Sequence, residues 1–259
     1  MSARRYILGI ETSNPSACET RREPERDLGH GVVMAPVLLG PSVALGEFDL
    51  SGLEGSGPNW RSEAPCMIVG DEPVGAGDRH SDDLMPAIER LFARVGVRAS
   101  ELDSVAVSIG PGGYTGLRIA VTAAKTIAHA VGAGVIGVPT AMTAKWDNPV
   151  PDPALVCLAG KGDACWGALW EGVRTRGLGV IRAGDIGRLN VRTIVADEHL
   201  PGAMRVEAGA RGIPIVAPRL SAAFVIGVAR ELRATTPDDL EPIYAREPDA
   251  VTQWRARRG

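Results

Sequence analysis

The apolar positions of the chain switch between two periods. Residues Ser42 to Leu50 alternate apolar and polar, which predicts a half-buried strand. Leu84, Ile88, Leu91 and Val95 recur at helical spacing, with Met85 and Phe92 flanking and Gly96 as the stop, so a helix is predicted there. Ser81, Asp82 and Asp83 supply an N-cap and first-turn acids for it, and Pro86 falls where a first turn tolerates it. Between Val105 and Val138 both periods occur in one stretch. An apolar run through Val105, Val107 and Ile109 meets the turn Gly110-Pro111-Gly112-Gly113. A helical pattern follows from about Thr115 to Val131, glycines stop it at 132 and 134, and Val135 to Val138 is apolar again. Strand, turn, helix, strand is one βαβ unit of a helix-covered sheet.

The helix of that unit is more apolar than one core-facing stripe requires. Leu117, Ala120, Val121, Ala124, Ile127, Ala128 and Val131 form a broad face, and Arg118, Thr122, Lys125 and His129 a narrow polar stripe. Ile119, Ala123, Thr126 and Ala130 add a second flank of mostly small side chains. That excess leaves two readings open: a helix sandwiched inside its own domain, or one whose second face packs on another subunit.

Elsewhere the pattern is coarser. Tyr6 to Ile10 predicts a buried strand ending in Glu11, Thr12 and Ser13. Residues 14–40, with the charge-dense Thr20 to Asp27, read as an inserted surface loop, and 51–65 as a long loop. Cys66 to Val69 and Pro73 to Ala76 suggest a bent strand, so an antiparallel meander opens the chain. Pro139 to Trp146 reads as helical, and the proline-rich Asp147 to Pro153 is the best domain boundary. A hairpin is predicted from Ala154 to Ala159 and Ala164 to Glu171. Short strands and turns are expected from Arg174 to Leu200, strands at Arg205 to Ala208 and Pro214 to Val216, and a helix at Ser221 to Leu232. The tail from Pro242 carries Ile243, Tyr244 and Trp254 as anchors for docking on the body. The order suggests two α/β lobes, each opening with antiparallel strands: a first lobe over 1–150, with an insertion at about 14–65, and a reduced second lobe over 151–259. The C-terminal helix and tail of the second lobe could pack back on the first.

Composition narrows the functions. The chain has 259 residues, 45% of them hydrophobic, and a net charge of −3. No global charge drives it to nucleic acid or anionic membrane. Cys18, Cys66, Cys157 and Cys165 have neither metal-ligand spacing nor disulfide-scaffold density, so buried free thiols are expected. Met1 to Arg5 leads into a strand without the apolar stretch of a signal peptide, and no run reaches the roughly 18 apolar residues of a membrane span. A cytoplasmic location is therefore expected.

Candidate chemistry is sparse. Glu11 lies at the C-terminal end of a strand, where open α/β sheets build sites; acid, metal ligand and plain turn residue are all open to it. The glycines of residues 110–113 allow close backbone approach before a helix N-terminus. Gly160-Lys161-Gly162-Asp163 lacks the spacing of a phosphate-binding loop, and His30, His80, His129 and His199 show no paired spacing.

Three stretches carry a resemblance to a known family. Ile7-Leu8-Gly9-Ile10-Glu11-Thr12-Ser13, Arg79-His80-Ser81 ahead of a helix with Leu84 and Pro86, and Gly110-Pro111-Gly112-Gly113-Tyr114-Thr115-Gly116-Leu117-Arg118 resemble the TsaB family. Pro242-Ile243-Tyr244-Ala245-Arg246-Glu247-Pro248 is similar to that family's C-terminal signature. The likeness covers residues 5–13, 42–50, 79–146 and 218–254.

The resemblance implies an actin-like, ribonuclease-H-like (ASKHA) two-lobed α/β fold. It also implies a non-catalytic subunit that forms homodimers in isolation and pairs with a TsaD-type catalytic paralogue. That paralogue transfers a threonylcarbamoyl group to N6 of adenosine 37 in tRNAs reading codons that begin with A, and a TsaE-type ATPase completes the assembly. ATP and a metal ion are then expected in the partner subunits, no cofactor in this chain, and tRNA contact through the complex. The implied partner surface is Leu84, Ile88, Tyr114, Arg118, Ile119, Thr122, Ala123, Thr126 and Ala130. Gly110, Pro111, Gly112, Gly113, Thr115 and Gly116 form the signature turn, and Glu11 and Thr12 a remnant of a nucleotide-facing edge. The catalytic paralogue carries a metal-binding His-x-x-x-His after the strand matching Val135 to Val138. Here Thr140 and Ala144 stand in those places, and neither coordinates a metal as histidine does. The competing reading is an ATP-dependent enzyme of the same fold, a small kinase with Glu11, Thr12 and the glycine turn around the phosphates. A metallopeptidase lacks its His-Glu-x-x-His pair.

Overall fold

The computed structural model describes residues 4–13, 21–23, 26–27, 32–34, 37–51, 60–75, 83–172, 174–247, 254–255 and 257. Their elements run in chain order as β1 (Arg4–Glu11), β2 (Arg21–Glu23), β3 (Arg26–Asp27), β4 (Val32–Met34), β5 (Val37–Leu39), β6 (Ser42–Asp49), α1 (Trp60–Glu63), β7 (Cys66–Pro73), α2 (Leu84–Val95), β8 (Leu102–Gly110), α3 (Tyr114–Val131), β9 (Gly134–Pro139) and α4 (Thr140–Trp146). After the proline-rich joint come β10 (Ala154–Lys161), β11 (Ala164–Glu171), β12 (Arg174–Arg182), α5 (Ala183–Ile186), β13 (Thr193–Ala196), α6 (Gly202–Ala210), β14 (Ile215–Val216) and α7 (Ala222–Ala229). They form two units, Met1–Pro149 with Ala217–Pro242, and Val150–Val216 with Ile243–Gly259. Residues 217–242, counted with the second lobe but expected to be able to pack back on the first, group with the first unit, whereas the tail from Ile243 groups with the second.

The first unit is built on a sheet of order β3-β4-β7-β6-β1-β8-β9. β7, β6 and β1 run antiparallel, and β1, β8 and β9 parallel. Alternation in β1 divides the core. Leu8 and Ile10 pack with α2 and α3, whereas Ile7 packs with α7. Gly9 is what lets α7 come so close, because a Cβ there would lie 2.5 Å from the Ala222 carbonyl oxygen and 2.7 Å from Ile226 Cγ1. All eight residues of α7 are buried, as a helix apolar on every side must be.

Parts of the expected loops are ordered secondary structure. β4 pairs in parallel with β7, β3 pairs with β4, and β2 pairs with β5. Asp71 accepts the Leu38 amide at 2.9 Å and an Arg22 ion pair at 3.0 Å, and Arg219 binds both Glu23 and Asp147. Strands of two or three residues have too few alternations to be read from a pattern. Residues 14–20, 24–25, 28–31, 35–36 and 52–59 lie outside the described residues. So do His80, Ser81 and Asp82; Asp83 occupies the N-cap of α2, its carboxylate accepting from the Gly75 amide and Arg90 rather than capping.

α1 sits inside the expected second loop. Trp60 is buried edge-on against Phe48, ring centroids 5.3 Å apart, and the guanidinium groups of Arg5 and Arg61 lie 4.7 and 4.8 Å from its ring. Asp103 joins both arginines at 2.8 Å. Buried Arg230 donates to the carbonyls of Arg61, Ser62 and Ala64, satisfying the end of this short helix. Arg230→Met strands those three acceptors, so a loss of about 2–4 kcal/mol in unfolding free energy is expected by urea titration. A loss under about 0.5 kcal/mol would mean that water replaces the guanidinium.

The second unit repeats the strand order. β12-β11-β10 is antiparallel, and β10-β13-β14 parallel. Residues 205–208, expected as a strand, belong to α6. Met204 and Ala208 are buried four residues apart while Arg205 and Val206 face out, which is helical spacing. Of the expected anchors Ile243 is half-buried while Tyr244 and Trp254 are exposed, and Arg246 also ties the tail by donating to the Ala159 carbonyl at 2.5 Å.

Candidate functional site

The glycine turn between β8 and α3 is filled by the chain itself. The Gly113 amide donates to the Ser13 carbonyl at 2.5 Å. A Cβ on Gly112 would stand 2.0 Å from the same oxygen, and one on Gly116 2.9 Å from the Thr12 carbonyl. Thr12 Oγ1 donates to the Gly116 carbonyl at 3.2 Å. The end of β1 thus accepts from the amide of the α3 N-cap, one of the backbone groups that a helix start leaves unpaired. The glycines serve a close backbone approach, as the sequence suggests, but the approaching group is Glu11-Thr12-Ser13.

Glu11 does not face solvent. It is buried, and its Oε1 accepts from the Ser13 amide at 2.8 Å and the Ser13 hydroxyl at 2.5 Å. Next to it the Ser108 and Thr140 hydroxyls share a 2.8 Å hydrogen bond. Glu11, expected on a nucleotide-facing edge, is thus a buried carboxyl whose Oε1 is bonded to Ser13 and whose Oε2 has no hydrogen-bond partner. Thr140 and Ala144, at the places of the paralogue's histidines, are both fully buried.

Burial raises the Glu11 pKa, with the hydrogen bonds of Ser13 and Ser108 opposing it. The folded state therefore holds the proton to higher pH than the unfolded chain, and stability falls as pH climbs above the ordinary glutamate value of about 4.3. Glu11→Gln keeps the shape and removes the titration. The decline of Tm as pH rises above the ordinary glutamate value is expected to flatten in this variant. An unchanged slope in scanning calorimetry would show that Glu11 is ionised in both states.

The second flank of α3 lies at the surface. Met85, Tyr114, Thr115, Arg118, Ile119, Thr122, Ala123, Thr126 and Ile127 line a groove of about 620 Å³. Met85 and Tyr114 are 48% and 46% exposed, large apolar surface for a folded chain to leave in water. The Arg118 guanidinium lies 5.3 Å from the Tyr114 ring. Thr126 turns its hydroxyl back to the Thr122 carbonyl at 2.9 Å, which satisfies it within the helix. Lys125 leaves the polar stripe and reaches the Asp238 and Leu240 carbonyls at 3.4 and 3.2 Å.

Most of the residues predicted for this face are brought together there. Three are not: Leu84 and Ile88 are 2% and 3% exposed and pack in the core, and Ala130 lies elsewhere. Ala130 is exposed but does not line the groove. Met85, Thr115 and Ile127 were missed. Met85 had a readable signal, since the residue beside a core-facing leucine on a helix points about 100° away from it.

Two units with the same strand order, antiparallel then parallel, define the duplicated actin-like, ASKHA-type α/β architecture. A family model described as "TsaD: tRNA N6-adenosine threonylcarbamoyltransferase" matches residues 68–168, from β7 through most of β11. The fold is that of the YeaZ-type, or TsaB-type, proteins. YeaZ from Pseudomonas aeruginosa superposes with a TM-score of 0.54 at 16% identity, over 93% of this chain and 99% of that one. A second P. aeruginosa structure, titled an uncharacterized protein with similarity to peptidase YeaZ, gives 0.57 at 17%, over 93% and 100%. An uncharacterized protein of Mycobacterium tuberculosis is 29% identical over 186 residues, 71% of this chain and 83% of that protein. The tRNA N6-adenosine threonylcarbamoyltransferase of Geobacillus thermodenitrificans is 41% identical over 133 residues, 51% of this chain and 32% of the enzyme. Among the described residues no helix is long and apolar enough to cross a membrane.

Proposed function

We propose that this chain is a TsaB-type subunit of a tRNA threonylcarbamoyladenosine system, pairing with a TsaD-type catalytic subunit without itself catalysing the transfer. The observation that carries this reading is the apolar groove on α3, directly after the signature turn. A groove with exposed Tyr114 and Met85 beside half-buried Ile119 and Ala123 offers anchors and close-approach positions for a helix of similar build. In the absence of the paralogue a second copy of the chain would take the same face. The TsaE-type ATPase and the tRNA would then join through the complex, with ATP and metal held by the partner subunits, in the cytoplasm.

The alternative of a small kinase is weaker on two counts. Ser13 already accepts from the Gly113 amide of the turn, and Glu11, the available metal carboxylate, is buried with its Oε1 bonded to Ser13. Sedimentation of this chain mixed with its TsaD-type paralogue tests the proposal. A complex at micromolar concentration is expected, and threonylcarbamoyl transfer by the paralogue should depend on it. Two species that stay apart with tRNA and ATP present would overturn the proposal.

A further inference from the structure

Positive charge is concentrated in one stretch of the second unit. From Arg174 to Arg192 the chain has five arginines and one acid, Asp185, a net +4; since the whole chain carries −3, the remainder carries −7. All five arginines are exposed. Arg182 makes an exposed ion pair with Asp163 at 3.2 Å, of a kind worth little in water. Arg174, Arg176, Arg188 and Arg192 have no acidic partner among the described residues. Register places three of them along one end of the sheet. Thr175 stands opposite Trp170, Trp170 opposite Ala154, and Ala154 opposite Thr193. Arg174 and Arg176 flank the first residue of that row, and Arg192 precedes the last, its amide held by the Pro153 carbonyl at 2.8 Å. With strands about 4.8 Å apart the row spans roughly 14 Å, a length that takes in several phosphates of one nucleic-acid strand.

β12 is an edge strand of its sheet, but a poor template for an added strand. Its ladder with β11 slips between Gly167 and Ala168, and Gly179 has a φ of +71°, which breaks the row of backbone groups a new strand would need. Charges on an edge also discourage strand pairing, yet Arg188 and Arg192 lie off the strand, so that role does not account for them. What this surface offers a partner is guanidinium groups, which pair with phosphate oxygens in a planar, two-point geometry. A basic row on an otherwise acidic chain also orients an approaching polyanion.

We infer that Arg174, Arg176 and Arg192 bind the phosphate backbone of the tRNA directly, so that the RNA joining through the complex touches this chain as well as its partners. The inference rests on the proposed function, which supplies the polyanion. The contacts are to phosphate, so they position the RNA and do not read its sequence.

The test is fluorescence anisotropy of a labelled tRNA that reads codons beginning with A, titrated with the full chain at about 50 to 200 mM salt. Micromolar binding is expected at the lowest salt, weakening as salt rises. Arg174→Gln with Arg176→Gln should lower affinity at least tenfold and reduce the slope of log affinity against log salt by about 1.4–1.8, the loss of two phosphate contacts. Arg174→Lys with Arg176→Lys keeps the charge and should keep the slope. Arg4→Gln with Arg98→Gln removes the same charge from exposed positions of the first unit and should leave affinity within twofold. Equal losses in the two glutamine pairs, or no binding by the parent chain, would overturn the inference. Polyglutamate bound as tightly as the tRNA would assign the surface to an acidic protein and overturn it too. Sedimentation with the TsaD-type paralogue reads the pairing separately, and both glutamine pairs should still form the complex. Arginine-dependent tRNA binding without that complex would count against the proposed function alone; the complex with equal losses in both pairs would count against this inference alone.

Discussion

Ala123→Arg is expected to weaken binding of the TsaD-type partner, and self-association, about a hundredfold, which is about 2.8 kcal/mol. Ala123 lies half-buried on the groove floor between Ile119 and Ile127. A methyl there lets a second helix approach closely, whereas a guanidinium fills the groove and must be desolvated without a partner. The substitution should leave this chain folded, because the groove is open and the arginine can point into water when no partner is bound. Ala130→Arg is the graded control. It lies on the same flank but outside the groove lining, so a loss under tenfold is expected. Sedimentation equilibrium gives the affinities and far-ultraviolet circular dichroism the fold. Equal effects from both variants would shift the contact towards the C-terminal end of α3. Full affinity in Ala123→Arg would remove the groove from the partner surface.

Gly112→Ala is expected to cost about 2–4 kcal/mol of stability, within the range for strained and overpacked sites. The added Cβ would stand 2.0 Å from the Ser13 oxygen and 2.9 Å from its Cβ, and the first of these is backbone that cannot rotate aside. Relief requires β1 and the α3 N-terminus to separate, breaking the Gly113–Ser13 hydrogen bond. Gly96→Ala separates this cause from ordinary glycine strain. Gly96 has a φ of +75° with nothing within 4 Å of the added methyl, so only the left-handed penalty of about 1 kcal/mol applies. Urea titrations of the two variants should differ by more than 1 kcal/mol. Since Tyr114 and Thr115 follow the turn, Gly112→Ala should also weaken partner binding, whereas Gly96→Ala should not.

Much of the first unit was legible because its signals are local. The run from Val105 to Val138 changes period at a glycine turn, and β8, α3 and β9 lie within a few residues of the predicted bounds. The glycine stops at residues 96 and 132 both adopt the left-handed conformation that ends a helix. The signature turn and the surplus apolar flank of α3 were also visible, because helical spacing assigns faces without knowledge of the fold.

What covers each face was not legible. Periodicity says that Leu84 and Ile88 share a side of α2 and that Met85 lies off it, but not which side meets the sheet. The β6 and α3 residues that share a core with Leu84 come from distant parts of the chain. α7 is apolar all round, so its pattern has no direction and could not assign residues 217–242 to the first unit; the space above Gly9 and Gly46 did that. The short strands β2 to β5 hold too few alternations to be read and are placed by β7, Asp71 and Arg219.

By itself, then, the sequence determined the strand–turn–helix unit, the two-lobed α/β class and the surplus flank, because these depend on period and on glycine's missing Cβ. Only the tertiary structure decided that the glycine turn receives the end of β1, that Glu11 is buried, and that the second flank of α3 lines a surface groove. Each of those depends on which atoms arrive from elsewhere in the chain to occupy a surface, and spacing along one segment carries no record of that arrival.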